Sequence, residues 1–165
     1  MPELRKIRPE AIPHALERIE RYRLLNQPRV AESIAHDILA VDAGNQEALV
    51  GLLLALTDQF DLEASAGVNA ALEIVPRLDG EYAQAYYAGI AWERHAKSRL
   101  NRAYPGAGFD AHDELQRALE LFDRANELSP QDNDDAALHW NACVRIIEGH
   151  KLEPRPQEAA AVLSE

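Results

Sequence analysis

The stretch ALELFDRANELSP, residues 118–130, constrains this chain more than any other. Ala118, Phe122 and Ala125 follow one another at offsets of four and three, so a period of 3.6 residues places them on one helical face. The two alanines let another backbone approach, and the ring fills the space between them. Such a face predicts a helix that packs closely on a neighbour. Pro130 ends it, because proline has no N–H to donate and its ring clashes with a continuing helix.

The same order of sizes recurs. VAESIAHDILAVDAGNQEAL near residues 30–49 and LEASAGVNAALEIVPRLDGEYAQAYYAG near 62–89 each set a small residue, an apolar helix and a turn in sequence. Ala31, Ala64 and Ala118 are equivalent positions, as are Val41, Ile74 and Leu128, with Ala43, Pro76 and Pro130 at the turns. A unit of about 34 residues fits the first interval, and the second is longer by about twenty residues. Each helix has an apolar one before it. Leu16, Ile19 and Leu24 mark one over 13–26, and QEALVGLLLALTDQ over 46–59 is apolar nearly all round, as a helix packed on both sides should be. In YAQAYYAGIAWERHAKSRLNR, Ala85, Ala88, Gly89 and Trp92 alternate small and large. A last helix over 133–148 has Asp132 and Asn133 as caps, Ala137, Trp140, Val144 and Ile147 as its apolar stripe, and Gly149 as its stop. Seven helices and no strand are predicted.

These residues resemble the tetratricopeptide repeat family. Its second helix favours a small residue, an aromatic four later, an alanine three further and a proline five beyond, and ALELFDRANELSP matches all four. Its first helix favours Leu-Gly followed by an aromatic, and AYYAGIAWE supplies Gly89 and Trp92. The match is strong in the third repeat, fair in the second and weak in the first. Val68 and Ala35 stand where the family prefers an aromatic, Ala43 replaces a turn proline, and the first two repeats lack the first-helix glycine. The resemblance implies an all-α, right-handed superhelical array of antiparallel hairpins at 11–43, 46–76 and 80–130, the third extended, with 133–148 as a capping helix. Residues 1–10 then form an N-terminal arm and 150–165 a C-terminal tail.

In this family the first helix of each pair lines a concave groove that receives a peptide or partner helix. By its spacing the inward positions are Glu20 and Arg23, then Val50, Leu54 and Asp58, then Tyr86, Ile90, Arg94 and Lys97, with Arg145 near the cap. Tyr86, Ile90, Arg94 and Lys97 form a stripe at i, i+4, i+8 and i+11. Two readings of that stripe stay open: an apolar floor with a cationic end for a partner carrying an acidic group, or core residues continued by a solvated face. The lysine and asparagine clamp by which some members hold chaperone tails is not carried over, since alanine and glycine occupy the matching stretch.

Charge and composition narrow the partners. The formal charge is −11, which argues against nucleic-acid binding. It is uneven: residues 1–45 sum to 0, 46–80 to −5, 81–108 to +2 and 109–165 to −8. The basic island falls in the insertion, ERHAKSRLNRAYPGAGFDAHD over 93–113. There the hairpin is expected to protrude, with Asp110 capping the returning helix and Tyr104 and Phe109 stapling the tip. Its cations, Arg99 and Arg102 among them, suit either an acidic partner or a second copy, or else form Arg–Glu pairs along a solvated extension. The tail EPRPQEAAAVLSE is expected to cover the terminal hairpin or lie disordered, with entry into the groove of another copy as the alternative, so self-association through the hairpin or the tail stays open.

No apolar run approaches a bilayer span, and MPELRKIRPE carries charge without the apolar core of an export signal, so a cytoplasmic protein is expected. Cys143 is the only cysteine, which excludes an internal disulfide. No Gly-rich phosphate loop, HExxH, GxSxG or CxxC occurs, and no catalytic residue, metal ligand or cofactor is predicted. The expected function is that of an adaptor holding a peptide or helix of another protein. The alternatives are a chaperone masking an aggregation-prone client and, less favoured, an enzyme with an unrecognised site.

Overall fold

The computed structural model describes residues 1–62 and 67–157. After a 3₁₀ turn at Pro9–Ala11, the helices are α1 (Ile12–Leu24), α2 (Pro28–Val41), α3 (Gln46–Thr57), α4 (Asn69–Leu72), α5 (Glu81–Arg102), α6 (Ala107–Leu128) and α7 (Asp135–His150). The described residues include no strand. Each helix packs on the next from α1 through α7, while α1·α3, α3·α5 and α5·α7 also touch. This all-α packing is compatible with a helical repeat.

The predicted size pattern is what closes the third hairpin. Phe122 is fully buried against α5, and a Cβ added to Gly89 would lie 2.7 Å from its ring. Glycine is therefore what lets the two backbones approach, and burying the ring contributes about 2–3 kcal/mol. Ala118 and Ala125 are equally buried, as is Ala31 in α2, whereas Ala64 lies outside the described residues. Helix α3 is buried on both sides through Leu49, Leu52, Leu53 and Ala55, as its all-round apolarity predicts. Its start is capped by Asn45, whose side chain accepts from the Ala48 N–H at 3.0 Å. A second close approach was not expected: a Cβ on Gly51 would lie 2.8 Å from Ile19, so glycine also brings α1 against α3.

Several expectations need correction. The second hairpin's returning helix, predicted across 62–76, reduces in the described part to one turn of α4 and a 3₁₀ turn at Val75–Arg77. Pro76 removes an N–H at its end, and Val68 supplies less than the ring that holds α6 to α5. On α1, Leu24 is 80% exposed, because five positions beyond Ile19 it has rotated off the face set by Ile12, Ala15, Ile19 and Tyr22. On α7 Ala136 and Cys143 are fully buried and Val144 and Ile147 of the predicted stripe pack partly buried against the core, while Trp140 is 37% exposed, so the inward face is rotated from the predicted stripe toward Ala136 and Cys143. That helix also runs past Gly149 and ends where Lys151 takes a left-handed conformation at φ 52°.

The third hairpin is long, with 22 residues in each arm, or about 33 Å per helix. Its tip does not stand free, however. Ser98 Oγ donates to the Phe60 carbonyl at 3.1 Å on one side. On the other, Leu152 packs toward Gly108 and Arg155 reaches Asp110. Asp110 is not the cap of α6, which starts at Ala107 behind Gly106 with φ 86°. Tail residues 158–165 lie outside the described residues. No described helix is long and apolar enough to cross a membrane.

Candidate functional site

The expected groove residues of three helices meet at one carboxylate. Asp58 follows the last turn of α3, where the helix dipole disfavours a negative charge and cations must hold it. Arg23 of α1 donates from Nε to Asp58 Oδ2 at 2.6 Å, and Arg94 of α5 donates from a terminal nitrogen to Oδ1 at 2.8 Å. Arg94 also donates to Thr57 Oγ1 at 2.8 Å. Burial pulls the Arg94 pKa below the usual value, with the Arg23 charge acting in the same direction against the attraction of Asp58. The guanidinium stays charged at any ordinary pH. Asp58 therefore ties α1, α3 and α5 into one face.

Two troughs share Arg23 on that face. One, of about 330 Å³, is lined by Asn26, Asp58, Phe60, Arg94, Lys97 and Asn101 among others. The second, of about 270 Å³, has an apolar floor of Leu16, Val50 and Leu54 with Glu20 and Glu47 on its walls. Gly51, which also lines it, is the residue that sets α1 close to α3. Beyond α3 the face continues to Tyr87, which packs in the same apolar cluster as Val50 and Leu54.

The start of α5 adds an aromatic corner. Tyr82 and Tyr86 stack with centroids 5.6 Å apart, and Tyr86 meets Tyr87 edge-on at 5.0 Å and His139 at 5.7 Å. Burial, then the nearby Asp135 carboxylate, pushes the Tyr86 pKa up to about 12. The Tyr87 phenol is raised by burial, by Tyr82 and by Asp135. Both stay neutral at physiological pH. Asn133 Nδ2 donates to the Tyr82 hydroxyl at 3.1 Å, which fixes the α7 start against α5. Of the expected floor residues, Ile90 is only 3% exposed and belongs to the core. Arg145 is exposed on α7 and takes no part in the Asp58 network.

The basic island is spent on internal pairs. Glu114 of α6 receives Arg99 Nε at 2.6 Å, and both its oxygens lie 2.9 Å from His95 Nδ1. Arg99 also donates to the Tyr104 hydroxyl at 2.5 Å, and that hydroxyl donates to Asp110 at 2.7 Å. This bond lowers the Asp110 pKa. Arg155 donates to the other Asp110 oxygen at 2.7 Å and lies over the Phe109 ring. Arg102 donates to the Phe60 carbonyl. Lys97 Nζ stands 3.4 Å from Glu93, an ion-pair distance without hydrogen-bond geometry, since that Glu93 oxygen has no hydrogen-bond partner. The other Glu93 oxygen lies 2.9 Å from His139 Nδ1. Burial opposes the charge on Glu93, but His139 and Lys97 outweigh it and hold the pKa below the carboxylate norm.

These pairs carry a signal that sequence reading missed. His95 and Glu114, Arg99 and Asp110, and Trp92 and Arg117 are each equidistant from the Tyr104–Pro105 bond. A hairpin folded there places each pair across from its partner, and Arg117 does lie 4.6 Å over the Trp92 ring. No such signal exists for Glu93 and His139, because α7 lies outside the third hairpin. Among the described residues no three His, Cys, Asp or Glu side chains are placed to hold a metal ion. Burial pushes the Cys143 pKa up to about 12, so its thiolate is disfavoured. Comparisons of the chain with protein-family models, with curated proteins and with solved structures give no match.

Proposed function

We propose that this protein is a non-catalytic interaction module of tetratricopeptide-like architecture, its hairpins stacked in a right-handed array, that holds a peptide or helix of another protein. The binding face is the one formed by α1, α3 and α5 and continued by the start of α7. The observation that supports this reading is the sharing of Asp58 between Arg23 and Arg94. Side chains from three helices, far apart in sequence, are locked beside an apolar floor of Leu16, Val50 and Leu54 that is not filled from within the described chain. Fixed polar groups around an apolar trough give a ligand both orientation and burial.

Selection of a random peptide library on the immobilised protein tests it. Peptides with apolar anchors should be enriched on the wild type and lost on Leu54→Asp, whose charge enters the trough floor. Absence of enrichment, or equal retention on Leu54→Asp with its helical circular dichroism intact, contradicts the reading.

A further inference from the structure

The charged groups of this face that lack an ion-pair partner among the described residues are acidic. Arg23 and Arg94 are both engaged by Asp58, and Lys97 stands at Glu93. By contrast Glu20 and Glu47, on the walls of the apolar trough, meet no cation among the described residues, and neither does Asp135 beside Tyr86. The half-buried rings of Tyr82, Tyr86 and Tyr87 lie between these carboxylates along α5. Asp135 acts on both Tyr86 and Tyr87, and these rings reach the apolar floor, Tyr87 in one cluster with Leu16, Val50 and Leu54 and Tyr86 in one with Leu54. Neutral phenol rings beside a carboxylate attract a cation twice, through the ring quadrupole and through the charge.

We infer that the occupant of the face is a basic amphipathic segment of a partner protein, whose apolar side chains enter the Leu16–Val50–Leu54 trough and whose lysines or arginines meet Glu20, Glu47 and the Tyr86–Asp135 corner. The inference rests on the proposed function and sets the sign of the partner's charge. That sign is opposite to the one expected from Arg94 and Lys97 in the sequence, because Arg23, Arg94 and Lys97 face Asp58 and Glu93, which leaves one positive charge against the three carboxylates of Glu20, Glu47 and Asp135. The net charge of −11 adds long-range attraction for the same class of partner.

Two labelled helical peptides with identical leucine positions, one flanked by lysines and one by glutamates, decide the matter by fluorescence anisotropy at low and physiological salt. The lysine peptide should bind at least about tenfold more tightly, with the preference shrinking as salt rises. In Glu20→Lys/Glu47→Lys the order should reverse. Both positions are exposed, and circular dichroism checks the fold of each variant. Asp135→Asn, which removes charge without adding bulk, should weaken the lysine peptide alone. Equal binding of both peptides that Leu54→Asp abolishes would leave the groove in place and overturn the charge assignment. Binding of neither peptide would overturn both. A ratio unchanged in Glu20→Lys/Glu47→Lys would also overturn the charge assignment.

Discussion

The second and third hairpins carry the same alternation of small and large residues, yet among the described residues one returns as a single α-helical turn and the other as 22 residues. In the third, Gly89 opens a space that Phe122 fills completely, and polar pairs equidistant from the turn bind the outer arms. In the second, Val68 stands in the aromatic position and Pro76 cuts the helix short, although Val68, Ala71, Ile74 and Leu78 are still buried. The difference separates two jobs of the repeat pattern. Apolar spacing is enough to bring a segment onto the core, and a large side chain matched to a backbone gap lets a long helix pack closely, whereas α2, continuous with Ala35 at the aromatic position, runs on without one.

Phe122→Ala should break this contrast most strongly. It empties the space opposite Gly89 and should cost about 3–5 kcal/mol in urea unfolding. Val68→Ala, at the equivalent place of the second hairpin, should cost about 1–2 kcal/mol. Equal losses would mean that the ring does not distinguish the two hairpins.

Glu93 sharpens the comparison, because the third hairpin alone places a 1% exposed carboxylate against α7. Its folded pKa lies below the ordinary 4.5, so the unfolded chain takes up its proton first as pH falls. The stability it contributes is full above about pH 4.5 and lost as pH drops through the folded value. Glu93→Gln should remove about 1.5–3 kcal/mol near neutrality and flatten the acid limb of a stability-versus-pH curve. An acid limb as steep as that of the wild type would assign the lability to other carboxylates.

The smallest effect concerns the turn. Ala103 ends α5 with φ 52°, a conformation that costs a residue with a Cβ about 1 kcal/mol. Ala103→Gly should raise stability by up to that amount, read as a shift in the urea midpoint at unchanged slope.

Much of the fold was legible because helix packing writes its needs into residue size. Ala118, Phe122, Ala125 and Gly89 announced the third hairpin, and the apolar girth of QEALVGLLLALT announced a helix packed on both sides. Register around a helix was less legible. Trp140 matches an apolar period as well as Ala136 and Cys143 do, and only the packing of α7 on α5 and α6 leaves it exposed while Val144 stays against the core. For the binding face, sequence spacing found Arg23, Leu54, Asp58 and Arg94 but not how they pair. Pairing depends on helix-to-helix distance, and that is set by Gly51 and Gly89, whose role shows only against Ile19 and Phe122.

The central claim is that partners meet the face formed by α1, α3, α5 and the start of α7. Titrating ¹⁵N-labelled protein with the lysine-flanked peptide and following amide chemical shifts tests it most directly. The account predicts shifts clustered at Glu20, Glu47, Val50, Leu54, Tyr86 and Asp135, with the outer surfaces of α2 and α6 and the tip around Tyr104 unchanged. Shifts concentrated on α2, α6 or that tip, with the Leu54 and Tyr86 signals unmoved, would contradict it.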